Sequence, residues 1–190
     1  MIDTVVAGFA ADPLLRWVWP DANRYTRCSQ PFFGLLLDVR LAGGEVWTAG
    51  DGAAVAMWDP PGGPYGPQPW RSWPGLQARF SAQERDRWAR YEAAVGDREQ
   101  APHWYLGVLA TDPDHRRQGL AAAAAAPMLA AADRTATPAW LETATASNVA
   151  YYATLGFTEV RHVDLPDGGP RCWLLRRDPA SHPAREDGDT

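Results

Sequence analysis

The sequence predicts an α/β domain, on three observations: a hairpin pattern over residues 45–58, an alternating apolar run that passes through a basic glycine turn into an alanine-rich segment over 103–132, and a second hairpin pattern over 158–175. At 190 residues and 46% hydrophobic content the chain fits one domain with a full core and is too short for two comfortable ones. Residues 1–177 are expected to form that domain. From Asp178 a polar tail is expected to be disordered. There is no internal repeat.

Each element has a local reason. Thr4 to Ala11 reads as a short helix ending at Asp12-Pro13, because the residue before a proline disfavours helical geometry. Pro31 to Ala42 reads as a helix stopped by Gly43-Gly44. Glu45 to Ala49 and Ala53 to Trp58 flank Asp51-Gly52, a hairpin turn dipeptide. Asp59 to Gly75, crowded with proline and glycine around Tyr65, Trp70 and Trp73, reads as an ordered surface loop able to act as a lid. Leu76, Phe80, Trp88, Tyr91 and Val95 recur at helical spacing and predict one helix over 76–95.

His103 to Ala110 is a strand, and a helix follows Gly119 to about Ala132, with a kink or early stop expected at Pro127, which lacks a backbone donor. Ala139 to Thr143 is a strand and Asn148 to Leu155 a helix closed by Gly156. Thr158 to Val163 and Arg171 to Leu175 pair around Pro166 to Gly169.

A net charge of −5 and a pI near 5.3 argue against a dedicated nucleic-acid binder, which needs clustered positive charge. Cys28 and Cys172 lie far apart and form neither a metal-ligand pair nor a redox motif, and no apolar run has membrane-spanning length. A reduced, cytoplasmic protein without metal or membrane is expected. The chain has no lysine, so neither a Gly-Lys-Ser/Thr phosphate loop nor a pyridoxal Schiff base is available. A dinucleotide fold would want three spaced glycines where only Gly119 stands.

The stretch Arg116-Arg117-Gln118-Gly119-Leu120-Ala121 opens the alanine-rich helix. A basic turn there aims unpaired N–H groups and the positive end of the helix dipole at one point, which suits a phosphate or pyrophosphate. The hexapeptide resembles the Q/R-x-x-G-x-G/A loop of the GNAT N-acetyltransferases, with Arg116, Gly119 and Ala121 at its defined positions. Asn148 followed by Tyr151-Tyr152 and Leu155-Gly156-Phe157 resembles the second signature of that family. The resemblance implies acetyl-coenzyme A as co-substrate and a mixed, mostly antiparallel sheet flanked by helices. The family's first strand is missing or shortened, since the chain opens almost directly on a helix.

Residue roles follow from the resemblance. Arg116, Arg117, Gln118, Gly119, Leu120 and Ala121 would hold the pyrophosphate and Asn148 the pantetheine arm. Backbone N–H groups near Leu109 and Ala110 would polarise the thioester carbonyl, and Tyr152 would give a proton to the departing thiolate. The general base is open. Tyr105 stands where many members carry glutamate, Glu142 is the better carboxylate, and His103 is a second candidate.

Val46-Trp47, Asp51 to Ala56, Pro113-Asp114-His115, Leu141-Glu142-Thr143 and Arg171-Cys172-Trp173 resemble the puromycin N-acetyltransferase-like branch. That implies direct transfer of acetyl to the primary amine of a small molecule, antibiotic-like or a secondary metabolite; the sequence leaves monomer and homodimer open. Acetylation of a protein N-terminus or an aminoacyl-tRNA, or a silent acyl-coenzyme A sensor, are the alternatives. Trp17, Trp19, Trp58, Trp70 and Trp73 lie near the presumed acceptor side, and a minority could wall an apolar pocket.

Overall fold

Two aspartates divide the N-terminal quarter of the chain into three helices. The computed structural model describes residues 1–62, 72–96 and 101–180. Helix α1 (Ile2–Gly8) ends before the sequence predicts, and Asp12 starts a new helix. Its carboxylate accepts from the Leu15 N–H at 3.0 Å, and Pro13, which has no N–H to lose, takes the first turn of α2 (Pro13–Val18). Asp21 caps α3 (Ala22–Gly43) in the same way through the Arg24 N–H at 2.9 Å. The helix expected to begin at Pro31 therefore starts nine residues earlier and carries the proline inside. The buried side chains of Phe32, Phe33, Leu35, Leu37 and Val39 offset the lost hydrogen bond.

Strands β1 (Glu45–Ala49) and β2 (Ala54–Asp59) form the expected hairpin, with Gly50, Asp51 and Gly52 at positive φ in the turn. The region predicted as one helix over 76–95 is two: α4 (Trp73–Gln77) and α5 (Ala82–Val95). Ser81 breaks it by nucleating α5 with a capping box, its hydroxyl accepting from the Glu84 N–H at 3.2 Å while Glu84 accepts from the Ser81 N–H at 2.6 Å. Most of the expected lid, residues 63–71, and the expected tail from 181 lie outside the described residues.

Strand β3 (Trp104–Thr111) leads to α6 (Leu120–Arg134), then come β4 (Ala139–Thr143), α7 (Ala146–Thr154), β5 (Thr158–Asp164) and β6 (Arg171–Arg177). Helix α6 does not stop early at Pro127; Ala124, Ala125, Met128, Leu129 and Ala132 bury one face against the sheet on both sides of the proline. The six strands run β1-β2-β3-β4-β6-β5, and only β3 and β4 are parallel. Six strands flanked by helices, mostly antiparallel, are what the sequence predicts, and α1 precedes the edge strand β1 where a further strand was expected to be missing.

Each face of the sheet has its own core. Helices α1 to α5 cover one, with Val55, Met57, Val108 and Ala110 pointing into it. Helices α6 and α7 cover the other, which takes Ala54, Ala56, Trp58 and Leu106. Leu106 and Val108 should share a face in a regular strand, since side chains alternate. They do not, because Met57 pairs with Val108 and Trp58 with Leu106, leaving Gly107 as a bulge. The bulge places Tyr105 with Val108 and Ala110 on the α1–α5 face.

Candidate active site

Strands β3 and β4 part company just before the bulge. They pair only at Trp104–Ala139 and Tyr105–Trp140. From there β3 continues with β2 alone, and Leu141 to Thr143 pair with β6. A parallel pair that splays leaves one edge of β3 unpaired in mid-sheet, and buried backbone groups there call for a partner. The Asp112 N–H bonds the Ala53 carbonyl at 2.8 Å, so by the alternation of an antiparallel ladder the Ala110 N–H also serves β2, while the Leu109 N–H turns to the open edge.

A cavity of about 540 Å³ fills this split and continues on both sides. At one end lies the basic turn. Arg117 (φ 63°) and Gly119 (φ 77°) both adopt the left-handed conformation, which folds successive N–H groups toward one concavity. No side chain caps α6 and no acidic residue stands in its first turn, so its leading N–H groups and dipole are unopposed. Arg116, Arg117 and Ala121 line the cavity. Leu120 turns its side chain away, its methyls 2.8 and 3.0 Å from where a Cβ on Gly50 would stand, so only its backbone faces the turn. Left-handed loop, open helix end and splayed strands fit a phosphate-bearing acyl carrier with an extended arm.

On the β4 side, Asn148 lines the cavity and its amide donates to the Thr143 hydroxyl at 3.4 Å. Tyr151 and Tyr152 both reach it from α7, their rings 5.5 Å apart. Tyr152 is buried against Phe157, and burial pushes its phenol well above the ordinary range, with Tyr151 and Asp12 adding to the effect. Such a phenol keeps its proton at every working pH, the state required of an acid.

The far end is aromatic and acidic. Phe9, Phe32, Phe33, Trp88, Tyr91 and Tyr105 form much of its wall. Glu142 lies among them, its Oε1 accepting from Tyr91 and from Tyr105, each at 2.6 Å. Of the tryptophans singled out from sequence, Trp17 and Trp19 belong to the core, Trp73 packs half-buried against it, Trp58 points to the opposite face and Trp70 lies outside the described residues. Trp88 is the tryptophan of the wall among the described residues. His103 stays outside the cavity, its Nδ1–H donating to the Ala101 carbonyl at 2.8 Å.

Two groups in the cavity escape the sequence reading. Asp12, which in the sequence marks only a helix stop, lines the cavity, and burial raises its carboxyl although the Leu15 and Leu14 N–H groups pull the other way. An aspartate before a proline at a helix start was the available signal. Cys172 also borders it, its thiol pushed up to about 12 by burial and then by the nearby Glu142 and Asp12 charges. Among the described residues no cluster of three or more metal-ligating side chains occurs, and no helix is long and apolar enough to cross a membrane.

Residues 53–157 match the model of the GNAT acetyltransferase family. The chain belongs to that family. This acetyltransferase is similar, at 25% identity and a TM-score of 0.69 over 96% of its own length and 91% of the other's, to a histone acetyltransferase HPA2 and related acetyltransferase from Corynebacterium glutamicum. Its fold also resembles arylalkylamine N-acetyltransferase 2 from Aedes aegypti, at 16% identity and a TM-score of 0.63 over 93% and 92% of the two chains. The acetyltransferase is thus an acetyl-coenzyme A-dependent enzyme, and the split between β3 and β4 lies within the matched residues.

Proposed function

We propose that this enzyme acetylates the primary amine of a small molecule with an aromatic or otherwise apolar body, in the manner of the puromycin-type branch. The observation that carries this reading is the acceptor end of the cavity, where an aromatic wall encloses the carboxylates of Glu142 and Asp12. An apolar wall rewards each buried group of the acceptor by roughly 1–3 kcal/mol, and a carboxylate rewards its ammonium. An acceptor rich in hydroxyls or spread charge gains neither.

Acetyl-coenzyme A brings the acyl group as a thioester. Arg116, Arg117, Gln118, Gly119 and the first N–H groups of α6, from Leu120 and Ala121, would hold its pyrophosphate, and Asn148 its arm. The Leu109 N–H, facing the open edge of β3, is the better placed of the Leu109–Ala110 pair to polarise the carbonyl. Glu142 takes the proton that the acceptor amine must lose, and Tyr152 returns one to the thiolate. Transfer is direct, within a ternary complex. Cys172, the thiol in the cavity, holds its proton too firmly to act as a nucleophile.

Mass spectrometry of acetylated products tests this, with acetyl-coenzyme A and a panel of puromycin, 2-phenylethylamine, spermidine, an aminoglycoside and a short peptide with a free N-terminus. Acetylation of the two aromatic amines with the highest kcat/KM is expected. Preference for spermidine or the aminoglycoside removes the apolar-pocket reading, and preference for the peptide moves the enzyme to protein N-termini.

A further inference from the structure

Two phenols converge on one carboxylate oxygen in the acceptor end of the cavity. Tyr91 comes from α5, Tyr105 from β3 just before the bulge, and Glu142 from β4, and all three line the cavity. Both phenols donate to Oε1 of Glu142 at 2.6 Å, the length expected of a charge-assisted hydrogen bond from a hydroxyl to a carboxylate. A tyrosine carries a single hydroxyl hydrogen, and a carboxylate carries none. With both hydrogens committed to Glu142, neither phenol of the cluster can donate to whatever enters, and each can only accept. Its polarity is fixed, and it can serve a donor of several hydrogens such as a primary ammonium. An alcohol offers only one.

We infer that Tyr91 and Tyr105, backed by Glu142, are the receptor for the acceptor's ammonium, and that Tyr105 carries its proton to the carboxylate. This rests on the reading of Glu142 as the base. In the step, an N–H bond of the ammonium breaks as an O–H bond forms on Tyr105. The hydrogen that Tyr105 already held moves to Oε1 of Glu142. The amine is left neutral with its lone pair free to attack, Tyr105 is regenerated, and Glu142 is protonated. No further reactant is needed. Tyr91 takes no part in the transfer and holds the ammonium against Tyr105 while keeping α5 tied to β4.

The two tyrosines therefore fail differently when changed to phenylalanine. Tyr91→Phe raises KM for 2-phenylethylamine about tenfold, the effect of one hydrogen bond to a charged group, with kcat nearly kept. Tyr105→Phe lowers kcat by about a hundredfold, and combining it with Glu142→Gln costs little more than either change alone, because both interrupt one path. In mixtures of light and heavy water, wild-type kcat falls along a curve, since two protons move together, and the Tyr105→Phe line is straight. A purely structural role would move neither the KM–kcat split nor that curvature.

If Tyr91→Phe and Tyr105→Phe both keep wild-type KM and kcat while Glu142→Gln is inactive, Glu142 takes the proton directly and the phenol receptor is overturned. If Glu142→Gln stays active, the base assignment falls, and the relay with it. A wild-type enzyme that leaves 2-phenylethylamine untouched while acetylating another member of the panel removes this receptor as well as the aromatic-amine reading.

Discussion

The guanidinium of Arg40 occupies the space that a side chain on Gly107 would need: a Cβ there would collide with Nη2. Arg40 is almost wholly buried, and the same Nη2 donates to Asp59 at 2.8 Å while Nη1 reaches the Leu36 carbonyl at 3.1 Å. Helix α3 thus inserts a charge against Gly107, the residue that the pairing of β3 with β2 skips. The fixed pair sits beneath the bulge that turns Tyr105 toward Glu142. Gly107→Ala should displace the arginine from its ion pair, and breaking a buried pair costs about 3–5 kcal/mol. Urea unfolding measures it. A loss under about 1 kcal/mol would mean that the strand shifts freely and the bulge is not pinned.

The two neighbouring tyrosines of α7 should separate cleanly. Tyr152→Phe removes the proposed proton donor and should lower kcat about a hundredfold with coenzyme A affinity nearly unchanged. Tyr151 has a buried hydroxyl with no hydrogen-bond partner among the described residues. Tyr151→Phe should therefore keep turnover and raise stability by up to about 1 kcal/mol, as a stranded polar group is removed. Steady-state kinetics beside thermal unfolding reads both. Collapse of kcat in Tyr151→Phe alone would transfer the role to that residue.

Gly119 takes a φ of 77° with no atom near its missing side chain, so Gly119→Ala meets strain but no collision. The strain should cost about 1–2 kcal/mol of stability. The added methyl would also stand where the loop must approach the pyrophosphate, and calorimetry should show coenzyme A binding at least tenfold weaker. Unchanged affinity would place the pyrophosphate elsewhere.

Both cysteines are free, and burial is the main reason each thiol is raised, Cys172 to about 12. At pH 8 neither should react with an aromatic disulfide reagent in the native protein, and both should react at once in urea. Rapid native labelling of Cys172 would contradict the buried, charge-flanked setting and reopen a covalent acetyl-enzyme.

Asp12 is raised in the folded protein, chiefly by burial, so the folded state holds its proton more tightly than the unfolded chain does. Stability from this group is then fully present below the ordinary carboxylate value of 3.8 and declines as pH rises from there through the raised folded value. Asn caps a helix as well as Asp, so Asp12→Asn keeps the α2 cap and removes the titration. Its stability curve should be flatter than wild type just above pH 3.8, read by denaturant unfolding at successive pH values. Identical curves would show that Asp12 titrates as if exposed.

The hairpins, the order of the strands and the turn before α6 were legible because each rests on a local device: Asp51-Gly52 closes a turn by itself, and Gly119 opens a helix by itself. The errors share a cause too. Pro31 reads as a helix start and Pro127 as a kink or early stop on local grounds, and tertiary burial on both sides of each carries the helix through despite the missing hydrogen bond. Ser81 is a cap whose short motif was outweighed by a longer periodicity, while Asp12, read as the end of one helix, and Asp21 are caps that start the next ones.

By itself the sequence determined the family, the glycine turn that opens α6 and the presence of Glu142 and Tyr152, since these rest on residue types at short fixed spacings. Only the tertiary structure decided what Glu142 touches. Tyr91, Tyr105 and Glu142 stand on three elements, and they meet because an unpaired Gly107 turns one strand by half a step. Strand periodicity carries no mark of that half step, because the bulge is fixed by Arg40 reaching across from a helix more than 60 residues earlier in the chain.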